Sequence, residues 1–401
     1  MKKIALFTLV ASIFMLTACQ DPIYEAIRQD VKPEEPTVSG NIGNITRYTA
    51  SGEEFLVLAA DDGLRYKQKD NASHGGWKTY QLPFELHRYD FDSSSHTGEQ
   101  LISVFADSTT LYLISSIYGQ TNTEGVTYPY NIILRGKVIT ANGSDWNEEG
   151  EWKIITQLDS TLFPVYTDSS DNYITKFRVF QTNAPKAAHR KVYIRAYNGT
   201  TGEEDYYEMS GLDDPKNHPV TPSRIIDPEP SSDAGYKAKA LGAVYFNDEV
   251  KFFTSPAVAT NETYTSDATY YYFTNGNNKL YYSNGSTTTT FGQDFASTIS
   301  ALAACADALI VGYGNNTSNN GGIEKASLIN GVPTAIQDFA TNAKYQITSS
   351  YMVITLLNAT PEKEEIDSNL YASLTFTGTS NNFDNIGLWS YYPNRGNWNR
   401  E

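Results

Sequence analysis

The chain has 401 residues, 46 acidic against 30 basic, a formal net charge of −16 and only two cysteines. Such an acidic surface repels phosphate, and no basic stripe with interleaved aromatics opposes that, so nucleic acid is excluded as the expected partner. Two cysteines exclude a disulfide framework, while 29 Tyr and 18 Phe supply ample material for a folded core.

The N-terminus carries Lys2 and Lys3 and then a mostly apolar stretch over residues 4–17. That length suits the h-region of a signal and is short for a membrane-spanning helix. The stretch closes on Leu16, Thr17, Ala18 and Cys19, a run that resembles the lipobox of bacterial lipoprotein signal peptides. The resemblance implies cleavage before Cys19, removal of residues 1–18, and acylation of the Cys19 thiol and its new amino group. Losing Lys2 and Lys3 lowers the net charge by two, to −18. A single acyl chain binds a bilayer marginally, whereas several, at about 0.8 kcal/mol per buried CH2, hold stably. In the sorting pattern of enteric lipoproteins, Asp directly after the lipidated cysteine retains the protein at the inner membrane. Gln20 stands at that position, so the resemblance implies the outer membrane and leaves the leaflet open. The alternative is an ordinary secretory signal with an unmodified Cys19.

Residues 19–42 read as a tether. Asp21 and Pro22 offer an N-cap and a first helical position, and Ile23, Ile27 and Val31 share one face, which predicts a short helix. Pro33, Pro36, Gly40 and Gly43 then stop it. A flexible segment of this length spans roughly 25 to 30 Å, enough to hold a body off a membrane.

Residues 43–401 have the composition of one all-β domain. Short runs such as FLVLAAD from Phe55, LYLISS from Leu111, VYIRAY from Val192, VKFFTS from Val250, LIVGYG from Leu309 and LYASLTF from Leu370 read as strands. Their spacing is close to 60 residues, with one longer interval of 81 residues between Leu111 and Val192; the Pro-rich stretch GLDDPKNHPVTPSRIIDPEP follows Val192. Within the first unit, LVLAADDGLRYK predicts two strands about an Asp62-Gly63 turn, and GGWKTYQLP adds a strand led by Trp77. The second unit repeats the order and leads its last strand with Trp152; in the final unit Trp389 and Trp398 fall in the third and fourth strands.

A repeated four-stranded antiparallel unit of this length predicts a β-propeller. Six blades are favoured, starting near residues 43, 98, 173, 239, 296 and 345. The segment TYYYFTNGNNKLYYSNG leaves a seventh open, and tandem β-sandwiches are the alternative architecture. With LTAC, the linker DPIYEAIRQDVK and the strand repeats over most of its length, the chain resembles the β-propeller lipoproteins of bacterial envelopes, including spirochaetal examples. It lacks a recognisable sialidase Asp-box and a regular Trp-Asp repeat.

The chemistry-bearing residues form no strong motif. His74, His87, His96, His189 and His218 make no metal-spaced pair. Asp90 and Asp92 start like a calcium loop, but Ser95 and Leu101 occupy the positions that need Gly and Glu. Gly312 and Gly314 begin a glycine run with no helix to receive a phosphate, and read as a loop turn. The adjacent acids Asp61 with Asp62 and Asp213 with Asp214 read as solvated turns, and Cys305 in ALAACADALIV as a buried inert thiol. No catalytic residue, metal or cofactor is expected.

Loop length is the more useful pointer. IYGQTNTEGVTYPYN, YGNNTSNNGG and GTSNNFDN read as long connections between second and third strands, which share one propeller face. They would place Tyr118, Tyr128, Tyr130 and Tyr313 among Asn and Thr as a binding face. The expected function is a lipid-anchored envelope protein that presents this face to a protein or glycan partner without catalysis. Two alternatives stay open: a glycan-active enzyme with its site in the central channel, and a periplasmic envelope-assembly subunit.

Overall fold

The computed structural model describes residues 37–38, 42–70, 76–84, 86, 99–121, 127–157, 165–167, 173–175, 177–182, 184–198, 203–221, 240–246, 249–254, 264–266, 270–274, 277–315, 318–340, 347, 351–376 and 386–401. The signal, Cys19 and the expected short helix lie outside them. The helical content among the described residues is three single turns of 3-10 helix, at Ala187–His189, Pro215–Asn217 and Glu365–Asp367. No helix among them is long and apolar enough to cross a membrane.

The rest is antiparallel sheet. Ile42–Ala50 (β1), Glu53–Ala60 (β2), Gly63–Gln68 (β3) and Lys78–Tyr80 (β4) form the first sheet in that order. The second holds Glu99–Ala106 (β5), Leu111–Thr121 (β6) and Thr127–Lys137 (β7). A small hairpin, Ala141–Asn142 (β8) and Asp145–Trp146 (β9), precedes its outer strand Lys153–Gln157 (β10). Val165–Thr167 (β11) and Tyr173–Thr175 (β12) pair separately. The third sheet is Phe177–Gln181 (β13), Val192–Asn198 (β14) and Glu203–Glu208 (β15), and the fourth is Ala240–Phe246 (β16) with Glu249–Thr254 (β17). Tyr264–Ser266 (β18), Tyr271–Phe273 (β19), Lys279–Ser283 (β20) and Thr288–Asp294 (β21) make the fifth. Ile299–Ala304 (β22), Ala308–Asn315 (β23), Ser318–Ile329 (β24) and Val332–Asp338 (β25) make the sixth; Tyr351–Asn358 (β26), Leu370–Phe376 (β27), Gly387–Tyr392 (β28) and Asn397–Arg400 (β29) make the seventh.

The local turns follow from sequence. Ser51 and Gly52 both have positive φ, 50° and 87°, the mirror-image turn that matches strand twist and joins β1 to β2 in two residues. Between β2 and β3 the turn residues are Asp61 and Asp62, because Ala60 pairs with Gly63; the turn sits one residue earlier than Asp62-Gly63. Trp77 and Trp152 immediately precede β4 and β10, and Trp389 and Trp398 lie in β28 and β29, as their spacing predicts.

Among the described residues, apolar cores join six of the seven pairs of neighbouring sheets, and the fourth and fifth meet through β16 and β18. One core joins the first and second sheets through Tyr48, Phe55, Val57, Val104 and Leu113. Others join second to third through Tyr112, Ile114, Val192 and Ile194, and third to fourth through Phe180, Tyr193 and Phe252. Fifth packs on sixth through Leu280, Phe291 and Leu309, and sixth on seventh through Ile310, Val353 and Trp389. The circle closes where Ile45, Leu56 and Leu58 of the first sheet meet Leu357, Tyr371 and Leu388 of the seventh. The leading strands touch in the same cyclic order, β1 to β5, β13, β16, β18, β22, β26 and back to β1.

The fold is an all-β propeller. Two-layer sandwiches leave one face of each sheet to solvent, whereas the first, second, third, sixth and seventh sheets here pack a core on each face. Six sheets begin within six residues of the starts read from sequence. The other, β18–β21, occupies the TYYYFTNG segment and hydrogen-bonds separately from β16–β17.

Candidate functional site

The leading strands are the innermost, and five of the seven have their ladders interrupted alike, while β13 and β18 pair without a shift. A one-residue register shift isolates Gly43 in β1, Ile102 in β5, Leu241 in β16, Ser300 in β22 and Ile354 in β26. A bulge bends a strand and raises its twist, which a tight inner ring requires. Adjacent bulges also interlock. A Cβ on Gly43 would sit 1.9 Å from the Ile102 carbonyl oxygen, and Ser300 Oγ donates to the Val353 carbonyl at 2.5 Å. Beside them the Asn44 amide bridges β1 to β5, donating to the Val104 carbonyl at 2.6 Å and accepting its N–H at 2.8 Å.

Thr46 in the middle of β1, and Ala106 and Gln181 at the ends of β5 and β13, form a buried polar group. Gln181 Nε2 donates to Thr46 Oγ1 at 2.8 Å, and its Oε1 accepts the Ala106 N–H at 3.2 Å. Thr46 and Gln181 are each 2% exposed. The first and third sheets are not neighbours, since β5 stands between them, so this bond links the two across the end of β5.

Arg190 makes the same crossing. It follows the single turn Ala187–His189, held by Thr182, whose N–H donates to the Lys191 carbonyl and whose Oγ1 donates to the His189 carbonyl. Its Nη2 lies 2.5 Å from Glu54 Oε1 and 2.9 Å from the Pro185 carbonyl; Nη1 reaches Thr49 Oγ1 at 3.4 Å and Nε the Ala184 carbonyl at 3.1 Å. Burial pulls Arg190 below the usual guanidinium value, and Glu54 opposes that. Arg47, buried beside it in β1, is pulled down to about 10, first by burial and then by the Arg190 charge. Both arginines remain cationic near neutral pH and serve as fixed charges, not as acids or bases.

The structure places the residues singled out by sequence in different settings. Cys19 lies outside the described residues. Tyr118, Tyr128 and Tyr130 lie on strands, where a loop was expected: β6 and β7 pair far enough to set Tyr118 opposite Tyr130 and Gln120 opposite Tyr128. Tyr313 does not join them. It sits in β23 of the sixth sheet, 8% exposed, with its ring 6.4 Å from Phe295, and burial followed by Glu324 raises its phenol. The seventh and first sheets intervene.

The GYGNNTSNNGG run is a hairpin of β23 and β24 and serves packing. A Cβ on Gly312 would meet Val353 at 2.5 Å, and one on Gly321 would meet the Tyr351 carbonyl oxygen at 1.8 Å, so these glycines admit the seventh sheet. The GTSNNFDN segment lies outside the described residues, as do His74, His87, His96, Asp90 and Asp92. His189 stacks on Tyr245 at 3.9 Å, and His218 Nε2 is 3.9 Å from Asp213 Oδ2. Cys305 is 1% exposed, bonded at 3.2 Å to the Asn358 amide, and burial pushes its thiol up to about 12. Sequence reading passed over Thr46, Arg47, Gln181 and Arg190. The one signal for Gln181 is a polar residue closing the run FRVFQ; Thr46, Arg47 and Arg190 sit in mixed runs with no such contrast.

No family model and no curated protein matches the chain. Among solved structures, it is similar at TM-score 0.32 and 9% identity to BBS1N in complex with ARL6DN, over 89% of this chain and 90% of that one. A eukaryotic initiation factor aligns at TM-score 0.34 and 10% identity, over 86% and 88%. A glycosyl hydrolase from Bacteroides ovatus aligns at 0.29 and 10%, over 89% and 86%.

Proposed function

We propose that the chain is a lipid-anchored envelope protein, attached through Cys19 at the outer membrane, whose propeller body binds a macromolecular partner without turning it over. The observation that supports this reading is the set of buried polar bonds between the first and third sheets. Every guanidinium nitrogen of Arg190 is engaged by an acceptor of the chain itself, and Gln181 is likewise spent on Thr46 and Ala106. Groups at the end of the inner strands hold the ring together, which leaves recognition to the rims. The β6–β7 hairpin, with Tyr118 opposite Tyr130, is the rim segment put forward for that contact.

The test is cross-linking on intact cells that carry the wild-type chain or the variant Tyr118→Ala with Tyr130→Ala. A specific adduct lost in the variant, and kept in Gly292→Ala, supports the reading; an adduct indifferent to both tyrosines overturns the assignment of the hairpin. Release of reducing ends from envelope polysaccharide, abolished by Glu54→Gln, would establish the enzyme reading instead. For the anchor, the mass of the mature N-terminus should show acylated Cys19, and an unmodified Cys19 removes it. Cleavage by protease added to intact cells marks surface exposure, and protection moves the protein to the periplasmic assembly reading.

A further inference from the structure

Successive sheets of the ring follow one another along the chain at every junction but one. The first and seventh meet with no connecting segment, so an opening ring parts there at least entropic cost.

Into that seam the fold buries the carboxylate of Glu401, which is 0% exposed. Its Oε2 accepts Trp77 Nε1 at 2.8 Å and lies 3.4 Å from Lys67 Nζ, both from the first sheet and its edge. Its Oε1 accepts the Tyr392 hydroxyl at 2.8 Å and the Ser390 hydroxyl, both from the seventh sheet. The backbone of the same residue is tied on both sides: its N–H donates to the Leu388 carbonyl at 2.9 Å, and its carbonyl accepts the Val38 N–H at 3.3 Å.

Lys67 is held from the other direction. Its Nζ donates to the Tyr392 hydroxyl at 2.5 Å and stands 5.2 to 5.7 Å from the ring centroids of Trp77, Tyr371 and Tyr392. A buried carboxylate shared by donors of two sheets is satisfied only while both sheets are in place.

We propose that Glu401 is the latch of the ring: losing its charge opens the seam between first and seventh sheets locally, freeing Val38 and β29 together while the other junctions stay closed.

The test is amide hydrogen exchange of the full chain. In Glu401→Gln, exchange at Val38, in β1 and in β29 should rise together by roughly a hundredfold, with β14 of the third sheet unchanged, because the buried Lys67 loses the Glu401 charge beside it. Trp77→Phe keeps the charge pair and removes one donor; it should raise the same amides by roughly tenfold, and it remains informative if Glu401→Gln does not fold. A rise spread evenly over β14 and β1, or one confined to β29, overturns the latch.

Discussion

The side chain of Gln181 donates to Thr46 Oγ1 at 2.8 Å across two sheets that are not neighbours in the ring, and both residues are almost wholly buried. Because Gln181 also accepts the Ala106 N–H of β5, the pair ties three leading strands at one point. Gln181→Leu leaves Thr46 and the Ala106 N–H without these partners and should cost about 2 to 3 kcal/mol in urea unfolding. Combined with Thr46→Val, the loss should be smaller than the sum of the singles by about 1 kcal/mol. Additive losses would mean that the two residues act separately.

Arg190 and Glu54 form the second crossing. Arg190→Met should destabilise by about 3 kcal/mol, since it strands Glu54 and frees the carbonyls of Ala184 and Pro185. Glu54→Gln should cost less, because the Glu54 side chain is 23% exposed and water can replace part of the lost interaction. Equal losses in the two variants would place the energy in the ion pair alone.

Glycine at the sheet junctions gives a sharper contrast. Gly321→Ala would set a methyl 1.8 Å from the Tyr351 carbonyl oxygen and should cost more than about 3 kcal/mol or prevent folding. Gly292→Ala meets nothing within 4 Å and should change stability by less than about 0.5 kcal/mol. Thermal midpoints of the two variants check this directly.

Alkaline stability follows from the buried thiol. Burial raises Cys305 from 9.0 to about 12, so the folded state keeps its proton where the unfolded state loses it. The associated stability is complete below pH 9 and is lost as pH rises toward 12. Between pH 9 and 10, where Tyr48, Tyr80 and Tyr271 at about 12 have yet to contribute fully, the wild type should lose on the order of 1 kcal/mol that Cys305→Ala does not. Parallel slopes in urea titrations of the two proteins would refute it.

Much of the body was legible as sequence, and for a local reason. Runs such as FLVLAA and ALIVGYG are apolar on both faces because each is the second strand of a sheet that packs on a neighbouring sheet at either face, and that is a pattern of adjacent residues. The tryptophans ahead of β4 and β10, the DDG turn region and the start of nearly every sheet could be read the same way. Two readings failed where neighbours in space decide. The Tyr118 to Tyr130 stretch was read as a loop from its Asn, Thr and Gly content, yet residues 118–121 pair as strand with residues 127–130. Tyr313 was placed on a rim, while Phe295 and the sixth sheet bury it.

The sequence by itself determined strand content, repeat and the charge of the body, since these depend on composition and on residues a few positions apart. Tertiary structure alone decided how the ring is held. Thr46 and Gln181 are separated by 135 positions, and Lys67 and Glu401 by 334. A hydrogen bond between residues that far apart leaves no periodicity in either local run. It exists only once the intervening sheets have packed and excluded the water that would otherwise satisfy both partners.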